Sequence, residues 1–338
     1  MKGRKMKRLL TVMMFLMAFV YLIPLFTVGP GGIAEIEQGN APTDTEAKDT
    51  FDSRTEITLW NGEEVLTLPL DKYLRGVVAA EMPASFPEEA LKAQALAART
   101  YTLYQLSLYE NGMSIPEKHH GAQLCSDHTH CKAWCELESD ADKKWGNEAD
   151  FYLDKIGKAV DETCGIIATY GGQPIAAVFH STSSERTESA AAVWGNETPY
   201  LVSVESPGSE ASPRYKGEVR ISHEEFKAKM LETHPDMDLS SSPDKWFKAS
   251  QRSEAGGIID VAVGGVRVEG TWLRQVLGLD STNFTYSVNG DELIFSTTGY
   301  GHGVGMSQYG AKALAEQGKT CEEIIKWYYT GVELTIKT

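Results

Sequence analysis

The amino-acid sequence predicts an α+β fold, in which helices are mixed with mainly antiparallel sheets behind one N-terminal transmembrane helix. Three segments have apolar and polar residues alternating around a turn, the pattern of a β-hairpin: TEITLWNGEEVLTLPL (55–70), IIDVAVGGVRVEG (258–270) and FTYSVNGDELIFST (284–297). Helical segments stand between them without a regular βαβ order, which favours sheets built from neighbouring hairpins.

The first 28 residues have the pattern of a membrane signal. Residues 1–8 carry five basic side chains and no acidic one, and Leu9–Val28 is a stretch of 20 residues without a charge. Such a stretch is long enough to cross the hydrocarbon core of a bilayer, with its basic flank on the cytoplasmic side. A cleaved signal peptide is the alternative, but no clear small-x-small cleavage site follows Val28. We therefore expect an uncleaved single-pass anchor at the cell membrane.

The rest of the chain divides into a linker and one extracytoplasmic domain. Residues 29–53 are polar and predict the linker, and residues 54–338 predict the domain. Because five of the 32 Lys and Arg residues precede residue 29, the remaining 27 face all 47 Asp and Glu residues, a balance of −20. An acidic surface of this kind repels nucleic acid and anionic lipid, so a nucleic-acid function is excluded.

Two helices meet at a short turn in VVAAEMPASFPEEALKAQALAART (77–100). The first, over 71–81, should end near Glu81 because Pro83 disfavours helix at Met82. The second, over 87–109, begins at Pro87 and is rich in alanine. Further along, the pattern predicts a helix over 139–160, a strand, turn and strand over 165–180, and helices over 271–279, 307–318 and 320–331.

A short segment concentrates metal-binding side chains. KHHGAQLCSDHTHCKAWC (118–135) contains His119, His120, Cys125, His128, His130, Cys131 and Cys135. Thiolates and imidazoles suit four-coordinate Zn²⁺, and with four protein ligands such an ion would be structural. A Cys125–Cys131 disulfide is the alternative for an exported protein. Cys164 and Cys321 are expected to be packed, unreactive thiols.

Three blocks together resemble the stage II sporulation protein D (SpoIID) family, the peptidoglycan lytic transglycosylases of endospore-forming bacteria. They are LPLDKYLRGVVAAEMPASFPEEALKAQALAARTY (68–101), FHSTSSERTESAAAVWGNETPYLVSVESPG (179–208) and GYGHGVGMSQYGAKALAEQGKTCEEIIKWYYTGVEL (299–334). Ser184-Glu185 departs from the family, which usually has a glycine pair there.

The resemblance implies an activity, a setting and a metal. The activity is cleavage of the MurNAc–GlcNAc bond to 1,6-anhydroMurNAc ends. The setting is the space between mother cell and forespore during engulfment, beside membrane proteins of the same machinery. The implied substrate is a denuded glycan strand, already stripped of stem peptides by an amidase. Resemblance to clostridial members implies a Cys/His zinc site, with Cys125, His130 and Cys131 as ligands. We expect His119 as the fourth ligand, with His120, His128 and Cys135 as alternatives.

The resemblance makes Glu81 the catalytic acid/base, and the local pattern agrees. A carboxylate in the last turn of a helix faces the negative end of the helix dipole, and residues 77–80 beside it are apolar. Both effects favour the protonated carboxylic acid, which is the form a general acid needs. Without the three blocks, Glu81 would be read as a solvated residue that ends a helix.

Two polar segments are expected to line the glycan groove. The predicted substrate-binding residues are His180, Ser181, Thr182, Ser183, Glu188, Tyr300, His302, Gln308 and Tyr309. The alternatives are a polar loop with local bonds and a tight glycine turn in which His302 packs. A serine hydrolase lacks support because there is no G-x-S-x-G motif, and a nucleotide site lacks the Gly-Lys-Ser/Thr of a P-loop.

Two other functions compete with a transglycosylase. A non-catalytic peptidoglycan-binding or amidase-enhancing module would share the three blocks, but it would need no carboxylate placed like Glu81. A zinc amidase or peptidase would use the Cys/His segment as its active site. The H-E-x-x-H motif of many such enzymes is absent, and the candidate ligands crowd one short loop.

Overall fold

The computed structural model describes residues 49–338. The predicted anchor and most of the predicted linker lie outside the described residues. Within residues 49–338, no helix is both long and apolar enough to cross a membrane.

The described part of the chain contains ten α-helices and fourteen strands. The helices are α1 (Phe51–Arg54), α2 (Leu70–Glu81), α3 (Glu88–Glu110), α4 (Leu137–Trp145), α5 (Ala149–Glu162), α6 (Ala190–Trp194), α7 (His223–Thr233), α8 (Gly270–Leu277), α9 (Gln308–Glu316) and α10 (Cys321–Tyr328). The strands are β1 (Glu56–Trp60), β2 (Val65–Pro69), β3 (Leu124–Cys125), β4 (Ile166–Tyr170), β5 (Gln173–Pro174), β6 (Phe179–His180), β7 (Lys216–Ser222), β8 (Phe247–Arg252), β9 (Ile258–Val263), β10 (Val266–Glu269), β11 (Phe284–Asn289), β12 (Glu292–Thr298), β13 (Met306–Ser307) and β14 (Glu333–Ile336).

The strands form small, mainly antiparallel sheets, so the predicted α+β class is confirmed for the described residues. The sheet orders are β2-β1-β3, β10-β9-β8, β11-β12-β7, β13-β6 and β14-β4-β5. The three predicted hairpins are β1–β2, β9–β10 and β11–β12, each antiparallel. Two short pairings, β1 with β3 and β6 with β13, are parallel. They join segments that are far apart in sequence, so no hairpin pattern announces them.

Two hydrophobic cores divide the described residues. In the first core α3 is central: its alanines are buried, which lets α2, α5, α9 and α10 pack closely around it. The second core belongs to residues 216–298, where Phe226, Trp246 and Phe295 are buried and Phe226 stacks on Trp246 with ring centroids 5.3 Å apart. The predicted single domain of 54–338 therefore carries a second core inserted between the second and third sequence blocks.

Two local predictions need correction, and one helix was not predicted. The helix predicted over 139–160 is two helices, α4 and α5, because Gly146 has a φ of 55° and breaks the regular turn. The second strand predicted within 165–180 is reduced to the short strands β5 and β6. The sequence patterns also gave no signal for α7.

The predicted linker ends too late, because residues 51–53 belong to α1. Its Asp52 is buried and forms an ion pair with the buried Arg99 of α3, with an Nη2–Oδ2 distance of 2.7 Å. Arg99 also donates to the Val160 carbonyl at 3.1 Å and to Thr163 Oγ1 at 3.3 Å. The pair thus joins the start of the folded region to α3 and α5.

Arg99→Met should destabilise the fold strongly, because it leaves the Asp52 carboxylate buried without its cation. Breaking a buried ion pair from one side costs about 3–5 kcal/mol. The free energy of urea-induced unfolding measures the loss. Lys158→Met is the control, since the Lys158–Asp154 pair is well exposed, and water and salt screen an exposed pair so that it contributes little to stability. Equal losses in the two variants would contradict a dominant role for the buried pair.

Candidate functional site

Glu81 lies at the joint between α2 and α3. The helix ends where predicted: Met82 has extended backbone angles and its N–H still bonds to the Val78 carbonyl. The following turn closes through Phe86 N–H and the Pro83 carbonyl at 2.9 Å. The Glu81 side chain is partly exposed, and its Oε1 accepts a hydrogen bond from Ala133 N–H at 2.9 Å. A backbone donor therefore fixes one oxygen of the carboxylate at the protein surface.

The segment that supplies this donor, residues 131–135, has neither helix nor strand structure. It packs directly on α2 at Gly76, where a Cβ atom would overlap the Trp134 indole and stand 2.6 Å from the Cys135 carbonyl oxygen. The Cys135 thiol also donates to the Gly76 carbonyl at 3.6 Å. Only glycine at position 76 allows the segment to come this close.

Lys132 is a buried cation in the same segment. Its Nζ lies 4.2 Å from the centroid of the Tyr101 ring and 3.9 Å from that of Phe179, so two aromatic faces contact the ammonium. Burial lowers the pKa of Lys132 to about 8, and the nearby negative charges of Glu81 and Cys131 oppose this lowering. The ammonium is thus close enough to Glu81 for their charges to interact.

The Cys/His segment brings four donors together. Ligand atoms of His119, Cys125, His130 and Cys131 all lie within 4.8 Å of one another. The Nε2 of His119 is 2.9 Å from His130 Nδ1 and 3.3 Å from Cys131 Sγ, and both sulfur atoms are 3.6 Å from His130 Nδ1. The five cysteines are free thiols, so Cys125 and Cys131 are not joined by a disulfide.

The three other candidates for the fourth ligand lie outside this four-residue cluster. His120 has a φ of 51° and stacks on Trp60 with centroids 4.1 Å apart, which turns its ring out of the cluster. His128 is exposed on the turn that begins at Asp127. Cys135 bonds to α2 instead. The four-residue cluster is the set expected from the sequence.

Both predicted substrate-binding histidines use their ring nitrogens internally. His180 Nδ1–H donates to the Val304 carbonyl at 3.1 Å, and its Nε2 lies 2.7 Å from Ser183 Oγ. His302 Nδ1 accepts from Val304 N–H at 3.1 Å, so its Nε2–H donates to the Phe179 carbonyl at 3.0 Å. Burial lowers the pKa of His180 to about 4 and that of His302 well below its ordinary value. All four ring nitrogens of the two histidines thus have partners within the protein.

Other predicted substrate contacts are also buried. Thr182 Oγ1 donates to Ser212 Oγ at 2.8 Å, Ser183 bonds to His180, and Gln308 Nε2 donates to Gln94 Oε1 at 3.4 Å. These side chains and that of Glu188 are at most 6% exposed, which removes them from a surface groove.

Ser181, Tyr300, His302 and Tyr309 stay partly exposed. Tyr309 packs edge-on against Phe86 at 5.2 Å, in the turn after Glu81, whereas the Arg214 guanidinium covers the Tyr300 ring at 4.1 Å. Among the predicted aromatic contacts, Tyr309 is therefore the one the structure places beside the α2–α3 joint.

The glycine-rich block fixes these positions. Thr182 and Tyr300 exchange two backbone hydrogen bonds, at 3.0 and 2.7 Å, and Glu188 N–H donates to the Gly303 carbonyl at 2.8 Å. Gly301, with a φ of 116°, stands where a Cβ would lie 2.9 Å from the Cβ of His180. The block is thus a close-packed partner of residues 179–188, as the structural alternative proposed.

Sequence reasoning missed Lys132 and the Ala133 N–H. A backbone donor leaves no trace in residue type. Lys132 stands between two metal-binding candidates, and its burial depends on Tyr101 and Phe179, which are distant in sequence. The pattern offered no signal for that contact.

Comparison with known proteins identifies the family to which the chain is similar. The family model described as "SpoIID: Stage II sporulation protein" matches residues 61–170, which include Glu81 and the whole Cys/His cluster. Stage II sporulation protein D of Bacillus subtilis (strain 168) is 36% identical over 98% of this chain and 96% of its own length. The protein of the same name from Bacillus amyloliquefaciens is 39% identical over 81% of this chain and 76% of its own length.

A more distant relative carries a different name. The amidase enhancer of Bacillus subtilis (strain 168) is 27% identical over 78% of this chain and 40% of its own length. Fold, site and comparisons together define a sporulation protein with a relation to the cell wall. The chain belongs to the stage II sporulation protein D family.

Glu188 gives a pH-dependent test of the buried arrangement. Burial raises its pKa, although Ser253 and the Gly257 N–H bond to it. A raised pKa in the folded state means that its contribution to stability is present at low pH and is lost as pH rises above the unfolded value of about 4.3. Glu188→Gln should therefore gain stability relative to the wild type between pH 4 and 8, by about 1.4 kcal/mol for each pH unit that separates the two pKa values.

Urea unfolding across that range measures the difference. Glu185→Gln, an exposed carboxylate of the same loop, should stay within about ±0.5 kcal/mol of the wild type throughout. Parallel stability curves for Glu188→Gln and the wild type would contradict the buried position.

Proposed function

We propose that this protein is a lytic transglycosylase that cleaves the MurNAc–GlcNAc bond of denuded peptidoglycan strands during sporulation engulfment. The position of Glu81 carries the proposal. Its carboxylate is partly exposed at a helix joint, with Oε1 held by Ala133 N–H. In the described part of the chain, no protein group bonds to Oε2, which leaves that oxygen for the substrate.

Glu81 would act first as an acid and then as a base. As an acid it protonates the oxygen that bridges MurNAc and GlcNAc, and the bond between that oxygen and the muramic carbon breaks. The muramic N-acetyl oxygen supports the cationic carbon. Glu81, now a carboxylate, takes the proton of the C6 hydroxyl, whose oxygen closes the 1,6-anhydro ring.

One carboxylate suffices for this sequence. A hydrolase needs a second group to activate water or attack the sugar, whereas here the substrate supplies the nucleophile. The Ala133 N–H donates to Oε1 of Glu81, and the Lys132 ammonium is close enough for its charge to interact with that of the carboxylate.

The Cys/His cluster fits a structural Zn²⁺. Two sulfur and two nitrogen donors are a usual zinc set, and ordinary zinc bond lengths place tetrahedral ligands roughly 3.3–3.8 Å apart. The contacts between these donor atoms, at 2.9–3.6 Å, are close to that range. A zinc ion there would supply structural cross-linking. His119, Cys125, His130 and Cys131 would hold it, and they would fix the turn that leads to Lys132 and Ala133.

The proposed setting follows from the family and the N-terminal pattern. We infer a single-pass anchor at residues 9–28 and a catalytic domain between mother cell and forespore. An amidase that strips stem peptides would supply the denuded substrate, and other engulfment membrane proteins would be neighbours. The second candidate function is a non-catalytic amidase enhancer, which the relative of that name favours.

Glu81→Gln tests the activity. Denuded glycan strands incubated with the wild type should yield 1,6-anhydroMurNAc ends by mass spectrometry. The glutamine variant keeps the shape but cannot exchange the proton, so its rate should fall by about 10²–10⁴-fold, while folding and glycan binding persist.

Glu88→Gln is the matched control, because Glu88 is exposed in the first turn of α3, and it should retain activity. Reducing muramic ends would indicate a hydrolase. Binding of glycan by the wild type without any cleavage would support the enhancer function. Near-normal cleavage by Glu81→Gln would refute the role of Glu81.

Cys131→Ser tests the metal. The variant should lose bound zinc, measured by elemental analysis, and should melt at a lower temperature. A chelator should lower the melting temperature of the wild type in the same way. Cys164→Ser is the control, since Cys164 lies outside the cluster and should keep the zinc content of the wild type. Unchanged melting of a zinc-free wild type would rule out a structural metal.

A further inference from the structure

Trp194, the last residue of α6, has an exposed indole that packs against a neighbouring ring. Its side chain is 45% exposed, and its ring lies against His302 with centroids 5.6 Å apart and planes at 45°. His302 in turn contacts His180 with centroids 5.6 Å apart. Because all four nitrogens of these histidines are occupied, the two rings form a fixed, neutral backing for the indole.

The indole is connected to Glu81 through packed residues. His302 donates to the carbonyl of Phe179, whose ring contacts the Lys132 ammonium. Lys132 precedes Ala133, whose N–H holds Glu81. A row of contacts through the protein interior, where Phe179 and Lys132 are buried, therefore links Trp194 to the carboxylate.

From this arrangement we propose that Trp194 is a stacking subsite for a pyranose ring of the glycan strand, which deepens the proposed function and rests on it. The C–H groups on one face of a hexosamine ring form an apolar patch that matches an indole face. Trp combines large apolar area with an N–H donor. Within residues 49–338 no protein group accepts from the Trp194 N–H, so that donor is available to a sugar hydroxyl or acetamide.

Stacking also suits the charge of the protein. A denuded strand carries a lactyl carboxylate on each muramic residue, and the chain after residue 28 has a balance of −20. Long-range electrostatics therefore oppose binding. Contact between a ring face and an indole does not depend on charge, and it acts only at short range.

The test measures binding separately from cleavage. In the Glu81→Gln background, denuded glycan strands are titrated while tryptophan fluorescence is recorded. Trp194→Ala should abolish most of the glycan-dependent change and weaken affinity by about tenfold, a typical loss for truncating an aromatic anchor. Trp194→Phe keeps a ring and should recover part of the affinity, and unfolding midpoints check that both variants are folded.

Trp327→Ala is the matched control. Trp327 is 38% exposed on α10, and its indole N–H is already bonded to the Glu205 carbonyl at 2.7 Å. The Trp327→Ala substitution should leave both the affinity for glycan and the fluorescence response unchanged.

Wild-type affinity in folded Trp194→Ala would overturn the subsite while leaving the transglycosylase intact. A Trp194-dependent response in a wild type that releases no 1,6-anhydro ends would refute the proposed activity and keep the subsite.

Discussion

The hydrogen bond from Ala133 N–H to Glu81 is the contact on which the site depends, and irregular backbone supplies it. Residues 131–135 have no helix or strand to hold them. Three side-chain anchors replace secondary structure: Cys131 in the Cys/His cluster, Lys132 between two rings, and Trp134 against Gly76. Each fixes a position within two residues of the donor. The cluster and the carboxylate are therefore parts of one local structure, although they come from different sequence motifs.

The buried ammonium group of Lys132 is the destabilising part of this arrangement. Burying an ammonium group without full compensation costs free energy, as the lowered pKa records. The two aromatic faces offset some of that cost, with about 0.5–2 kcal/mol for each cation–π contact. The negative charge of Glu81 offsets a further part of that cost. A cation held in this way cannot swing toward solvent, so its field at Glu81 stays constant while the carboxylate changes protonation state.

Features governed by local sequence were predictable. Pro83 fixed the end of α2 at Glu81, and turn residues fixed the three hairpins. The His/Cys density identified the cluster, but the ligand set depended on backbone geometry, because the left-handed conformation of His120 turns that ring onto Trp60. Long-range packing was invisible. One ring nitrogen of the buried His180 bonds to the carbonyl of Val304, 124 residues away, so a polar loop and a buried network have the same sequence pattern.

This burial affects the proposed recognition of a glycan strand. The histidines and hydroxyls that suggested a hydrogen-bonding groove form hydrogen bonds with one another and with the backbone. Ring surfaces remain at the surface, those of Trp194 and Tyr309 among them. Electrostatic forces between an acidic protein and an anionic strand are repulsive and are screened beyond about 8 Å at physiological salt. For the proposed glycan substrate, selectivity would then come from contacts made after approach, and the exposed faces of Trp194 and Tyr309 would provide such contacts without adding charge.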